Sequence, residues 1–143
     1  MTTSTIAIPA PNMPTLALPY YSSKVSAGFP SPSHEDASNL DLNEYLIKNK
    51  IATFFVRVQG HSMQEAGIQD GDLLIVDRSL EAQHGHIVIA VVDGQMTVKR
   101  LEKKHGRYCL KAAHPDYPDI HEQDVADAQV WGRVMHVIHS FKN

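Results

Sequence analysis

Short apolar runs separated by glycine-containing turns recur from residue 53 to the end of the chain, and this pattern limits the possible folds. The runs have the length and residue types of strands, and Asp-Gly or His-Gly turns separate several of them. The six runs are 53–59, 73–76, 86–92, 95–101, 107–112 and 130–139. Because no helical pattern alternates with them, we expect a mainly β protein whose domain is antiparallel, Greek-key or partly barrel-like rather than built of βαβ units.

The first 40 residues have a different composition. Six of the eight prolines lie before residue 33, where Lys24 is the only charged side chain. Proline removes backbone donors and resists helix interiors and central strands. We therefore predict an extended or flexible N-terminal arm over residues 1–40 and a folded domain over residues 41–143. One short helix is expected to begin that domain, with Asp41 and Glu44 as a capping box and Asn49 as its terminator.

Charge and apolar content argue against several classes of protein. Thirteen basic and sixteen acidic side chains give a net charge of -3, whereas general nucleic-acid binders usually carry a basic field. No apolar run is long enough for a membrane span, and the N-terminus lacks the basic start of a secretory signal. Cys109 is the only cysteine, so no internal disulfide can form, which fits a reducing cytoplasm.

Ser62 and Lys99 are the candidate catalytic residues. Ser62 follows Gly60 in a turn directly after a strand-like run, where a hydroxyl and nearby backbone N–H groups can both be exposed. Lys99 lies in another such run and shares a face with Thr97 and Leu101. On pattern alone, Ser62 is an ordinary turn serine and Lys99 an exposed strand lysine. Catalysis requires burial to lower the pKa of Lys99, so that its neutral amine can take the Ser62 proton.

The nine histidines raise two other possibilities, a metal site and a catalytic triad that contains a histidine. None of them stands in a zinc spacing with cysteine or in a His-Glu-x-x-His motif, so we expect no metal and no cofactor. His61 is badly placed to serve Ser62, because adjacent side chains on a strand point to opposite faces. A triad that uses a distant histidine stays open.

The surroundings of both residues resemble the LexA/UmuD group of self-cleaving Ser-Lys proteases, peptidase family S24. Matching blocks follow one another in order over roughly residues 54–139, and they are 60–63, 67–77, 84–90, 93–94 and 97–101. The resemblance implies a LexA/UmuD-like antiparallel β domain. It also implies that Ser62 is the nucleophile, that Lys99 is the general base, and that the backbone N–H groups of Ser62 and Met63 bind the oxyanion.

The N-terminal arm resembles the UmuD-type members of the group. Residues 27–32 resemble their cleavage segment and residues 41–47 the stretch that follows it, while the part before residue 40 is too short for a helix-turn-helix domain. The resemblance implies self-cleavage between Ala27 and Gly28, promoted by a RecA filament on single-stranded DNA. It further implies a cytoplasmic homodimer without membrane or sequence-specific DNA contacts. Its shortened form would join a UmuC-type Y-family polymerase as an accessory subunit of error-prone polymerase V in the SOS response.

Other functions fit the same pattern. A β module could regulate a polymerase without cleaving itself, and a phage-type repressor could contribute such a C-terminal regulatory domain. A signal peptidase shares the Ser-Lys chemistry but normally needs a membrane anchor.

Overall fold

The computed structural model describes residues 14–21, 28, 37–121 and 128–142. The chain divides into two units, Met1–Lys48 and Asn49–Asn143. Ala27, which is predicted to precede the cleaved bond, lies outside the described residues, and Gly28 is an exposed residue in a bend. The division into an arm over residues 1–40 and a domain over residues 41–143 stays a prediction.

The described part of the first unit is a two-stranded ribbon followed by one helical turn. Strand β1 (Ala17–Tyr21) pairs antiparallel with β2 (Ala37–Asp41). Both strands of a two-stranded ribbon are edge strands, and edge strands tolerate proline. This explains how Pro19 can lie in β1, opposite Asn39. Helix α1 (Leu42–Leu46) follows β2 directly.

Asp41 caps α1, as predicted, because its carboxylate accepts the N–H of Asn43 at 2.9 Å. The predicted capping box is not formed among the described residues, since no hydrogen bond joins Asp41 and Glu44 there. The predicted terminator is wrong. The helix ends at Leu46, with the β-branched Ile47 as an extended C-cap residue, and Asn49 instead precedes a 3₁₀ turn, Lys50–Ala52.

The second unit is built on one antiparallel sheet, which confirms the predicted mainly β fold. Its strands are β3 (Thr53–Arg57), β4 (Leu73–Asp77), β5 (Ile87–Val92), β6 (Gln95–Lys104), β7 (Arg107–Lys111), β8 (Ile120–His121) and β9 (Ala128–Ile138). Their order across the sheet is β3-β4-β9-β5-β6-β7-β8. Among the described strands the sheet is open, with β3 and β8 at its edges, and does not close into a barrel.

Alternating side chains give this sheet two buried faces. On β5, Ile89 packs into one core cluster, whereas Val88 and Ala90 pack into the other. The first cluster includes Met63 and Ile68 from the loop after β3. That loop therefore covers one face of the sheet, and its apolar anchors fix where the intervening backbone lies.

Strand β9 passes very close to β4. Its pairing with β4 shifts register at Ile75/Val76, and its pairing with β5 shifts at Ile89/Ala90. A Cβ at Gly132 would lie 2.6 Å from Cγ1 of Val76 and 3.3 Å from the carbonyl oxygen of Asp77. Only glycine fits the strand at this point.

Candidate active site

The loop that carries Ser62 is fixed at its start by hydrogen bonds to the turn before β4. Val58 exchanges backbone hydrogen bonds with Asp72 and Gly71, each 2.8 Å long. The N–H of Gly60 donates to Oδ1 of Asp70 at 2.7 Å. Gly60 has a φ of +97°, a conformation in which a side chain would be strained, so the glycine allows the chain to turn out of β3.

The backbone of Ser62 is held from two further sides. Met63 is only 1% exposed and packs in the first core cluster. On the other side, the N–H of Ala113 donates to the Ser62 carbonyl at 2.7 Å, and the N–H of Glu65 donates to the Ala113 carbonyl at 2.8 Å. The half-buried Ser62 is therefore presented by a loop with little freedom to move.

Lys99 reaches this loop from β6. Its backbone pairs with Val88 of β5, and its side chain bends so that the whole residue is only 7% exposed. Nζ of Lys99 lies 3.2 Å from Oγ of Ser62, 2.8 Å from Oγ1 of Thr97 and 3.1 Å from the Val98 carbonyl oxygen. Strand β7 pairs with β6 only from Arg100 onward, so the Val98 carbonyl lies beyond that pairing.

Burial lowers the pKa of Lys99 below that of an ordinary lysine, because a charged amine loses solvation in a largely apolar surrounding. The three oxygens around Nζ of Lys99 determine which hydrogen bonds each protonation state can make. An ammonium group can donate to all three, whereas a neutral amine has two N–H groups and one lone pair. Because a carbonyl can only accept, the Val98 oxygen keeps one N–H. The lone pair then faces a hydroxyl, Ser62 or Thr97, and at Ser62 it can accept a proton.

Two backbone donors lie beside the Ser62 hydroxyl. The N–H groups of Ser62 and Met63 make no hydrogen bond within the described part of the chain, while the adjacent Gln64 N–H is used by the His61 carbonyl at 3.1 Å. Unused N–H groups next to a nucleophile are the donors that an oxyanion hole needs.

None of the histidines that the structure describes is part of this arrangement. His61 is exposed, and among the described residues the only hydrogen bond of the Ser62 hydroxyl is to Lys99. In the same residues no group of three or more histidine, cysteine or acidic side chains is placed to hold a metal ion. None of the helices described there has the length and apolarity to cross a membrane.

Sequence reasoning placed Thr97 on the Lys99 face but gave it no role. The signal was available, because residues two apart on a strand lie on one face. The contact between Ala113 and Ser62 had no signal in the sequence, since it is made by backbone atoms of distant segments.

A serine hydroxyl beside a buried lysine amine is the arrangement of groups that Ser-Lys peptidases use. The sequence model of the Peptidase S24-like family matches residues 19–135. The chain belongs to this family, as the resemblance to the LexA/UmuD group implied.

Curated relatives agree with this assignment. The chain is 43% identical over 122 residues to Protein MucA of Salmonella typhimurium, covering 84% of this chain and 83% of that protein. It is 44% identical over 124 residues to Protein ImpA of Shigella flexneri, covering 85% and 83%. It is also 40% identical over 121 residues to the LexA repressor of Halorhodospira halophila, covering 85% of this chain and 52% of the repressor.

Proposed function

We propose that this protein is a self-cleaving serine endopeptidase that cuts its own chain between Ala27 and Gly28. The observation that carries the proposal is the 3.2 Å contact between Nζ of the buried Lys99 and Oγ of Ser62. Family membership supports a serine-peptidase activity, and the small residues Ala27 and Gly28 suit a narrow site.

The proposed reaction begins with attack of the Ser62 oxygen on the Ala27 carbonyl carbon, while the Ser62 proton passes to neutral Lys99. The negative charge that develops on the Ala27 oxygen is met by the N–H groups of Ser62 and Met63. When the bond to Gly28 breaks, the Lys99 ammonium returns its proton to the leaving amine. Water then attacks the carbonyl carbon of the ester and gives a proton to Lys99. Lys99 passes this proton to the Ser62 oxygen as the bond breaks and the fragment ending at Ala27 leaves as its carboxylic acid.

The test of this activity is the intact mass of the purified full chain before and after incubation at alkaline pH and with a RecA filament on single-stranded DNA. We expect loss of a fragment ending at Ala27 and a product that starts at Gly28. Ser62→Ala should abolish the product, because it removes the attacking oxygen. Formation of the same product by the Ser62→Ala variant would exclude the dyad.

We further propose that the shortened chain acts, as a cytoplasmic homodimer, as an accessory subunit of an error-prone polymerase V with a UmuC-type partner. The support is the similarity to Protein MucA and Protein ImpA over most of each chain. Co-purification of the chain starting at Gly28 with a UmuC-type Y-family polymerase, and failure of the uncleaved Ser62→Ala chain to replace it in lesion bypass, would support this role. Equal bypass with both chains would instead favour a regulatory module that acts without cleavage.

A repressor-type regulatory domain is the second candidate, because the chain matches about half of a LexA repressor. In that case RecA-stimulated cleavage would occur, but the product would not bind a polymerase.

A further inference from the structure

Strands β6 and β7 carry buried leucines on one face and mainly charged side chains on the other. Leu101 and Leu110 are opposite each other and belong to the second core cluster. The alternate residues form the other face, which we call the basic face, and they are Arg100, Glu102, Lys104, Arg107, Cys109 and Lys111.

The basic face contains two pairs of like charges placed directly across the strands. Arg100 is opposite Lys111, and Lys104 is opposite Arg107. Directly opposed like charges destabilise a sheet. Glu102 lies between the two pairs and contacts Lys111 at 3.7 Å.

The surroundings add one acid and one histidine. Asp119 and His121 line the same surface cleft as Lys104 and Arg107. Among the residues that the structure describes at this face, four cations thus face two acids, in a chain where acids outnumber cations sixteen to thirteen. The charge of these described residues is opposite in sign to that of the whole molecule.

The residue types on this face favour a charged chain over a folded protein as the partner. The centre of a protein interface is enriched in aromatic residues and depleted in charge. The basic face differs in both respects, because its central side chain is the half-buried Cys109 and most of its other side chains are charged. Burial raises the pKa of its thiol, with Asp119 and Glu102 acting in the same direction. Arginine and lysine, by contrast, are the residues that contact phosphate oxygens.

The spacing also suits a phosphodiester backbone. Residues two apart on a strand are separated by about 6.8 Å, so the two cation pairs lie about 14 Å apart along β6. One strand of duplex DNA advances about 3.4 Å per phosphate, so this length spans about four phosphates.

We propose that the basic face binds the phosphate backbone of DNA without reading its sequence. This goes beyond self-cleavage and is compatible with the expectation that the chain makes no sequence-specific DNA contacts. Tyr108 also lines this cleft, but its ring contacts the Lys103 amine on the other face at 4.9 Å, so the proposed binding rests on charge.

The test uses the full chain and a fluorescent, mixed-sequence duplex oligonucleotide, with anisotropy followed as salt is raised. Each phosphate contact on duplex DNA contributes about 0.9 to the slope of log affinity against log salt. The double variant Lys104→Gln with Arg107→Gln should therefore lower the magnitude of the slope by about 1.8 and weaken binding equally for unrelated sequences. Lys103→Gln is the matched control for Lys104→Gln alone, because each variant removes one positive charge and the two adjacent residues lie on opposite faces.

Three results would overturn the proposal: no binding by the full chain at low salt, equal weakening by Lys103→Gln, or displacement of the oligonucleotide by polyglutamate at a lower charge concentration than by unlabelled DNA. The last result would identify an acidic protein as the partner. Self-cleavage by the double variant should match that of the unaltered chain, so failure of DNA binding and failure of the peptidase proposal are distinguishable.

Discussion

At the scale of single residues, the candidate site depends on a lysine in an unfavourable place. Most lysines are exposed, but Lys99 is 7% exposed with its amine within hydrogen-bond distance of three oxygens. At neutral pH Lys99 is charged in the unfolded chain, whereas its burial in the folded protein disfavours the charged amine. The unfolded state therefore binds more protons between the lowered folded pKa and about 10.4, and through this window stability rises with pH. The same shift makes the amine available as a base.

The rate of self-cleavage should increase from pH 7 toward pH 10 and level off before the ordinary lysine pKa of about 10.4, because burial lowers the pKa of Lys99. Time courses of intact mass in the absence of RecA would measure the profile. Ser62→Ala should give no product at any pH. A rate that does not change over this range would argue against lysine as the base.

Thr97 should act as a positioning residue for Lys99. Its hydroxyl accepts an N–H of Lys99 at 2.8 Å, and loss of one such bond costs about 1.4 kcal/mol, equivalent to about tenfold in rate. We expect Thr97→Val to lower the plateau rate about tenfold and to move the pH midpoint downward, because the ammonium form loses an acceptor. Thr97→Ser should retain both values. A Thr97→Val variant that is slow but has an unchanged midpoint would indicate a purely structural role.

At the scale of elements, the short apolar runs predicted six of the seven strands of the second unit to within a few residues, because apolar patterning directly reflects which faces are buried. The two-residue strand β8 (Ile120–His121) was not predicted. It could not predict the pairing of β1 with β2, in which Pro19 lies in a strand, since ribbon pairing is decided by distant residues. The sheet order and the register shifts of β9 could not be predicted for the same reason.

Within the site, the resemblance identified Ser62 and Lys99 as a pair, but pattern alone favoured an exposed Lys99. Its burial depends on how the side chain bends at the β6 edge.

Gly132→Ala should destabilise the protein, because the new methyl group would lie 2.6 Å from Cγ1 of Val76. Overpacking of this kind costs about 1–3 kcal/mol, which thermal or urea unfolding would measure. Gly28→Ala is the matched control, since a Cβ there has no heavy atom within 4 Å. If the contact with Val76 is the cause, Val76→Ala should cost less in the Gly132→Ala background than alone. Additive costs would contradict this explanation.

At the scale of the whole second unit, one buried carboxylate connects the end of the chain to the turn that supports the Ser62 loop. Asp72 is 2% exposed, and its Oδ1 lies 2.7 Å from Nδ1 of His139, just beyond β9. Its Oδ2 accepts the N–H of Gln69 at 2.8 Å. Burial acts to raise the pKa of Asp72, but the Gln69 N–H and the hydrogen bond and charge of His139 outweigh it, and the pKa lies below its ordinary value.

Asp72→Asn should therefore lower the free energy of unfolding in a pH-dependent way. A carboxylate whose folded pKa is lowered contributes stability above its unfolded pKa of about 3.9, and that contribution is lost as the pH falls through the folded pKa. We expect a loss of about 1–3 kcal/mol at pH 7 that shrinks as the pH is lowered from about 4, measured by urea unfolding at several pH values. Asp93→Asn, in an exposed hairpin turn with a φ of 50° that asparagine tolerates, should match the unaltered chain throughout. A loss at Asp72→Asn that is the same at pH 3 and pH 7 would mean that packing of the side chain, and not its charge, holds the chain terminus against the Ser62 loop.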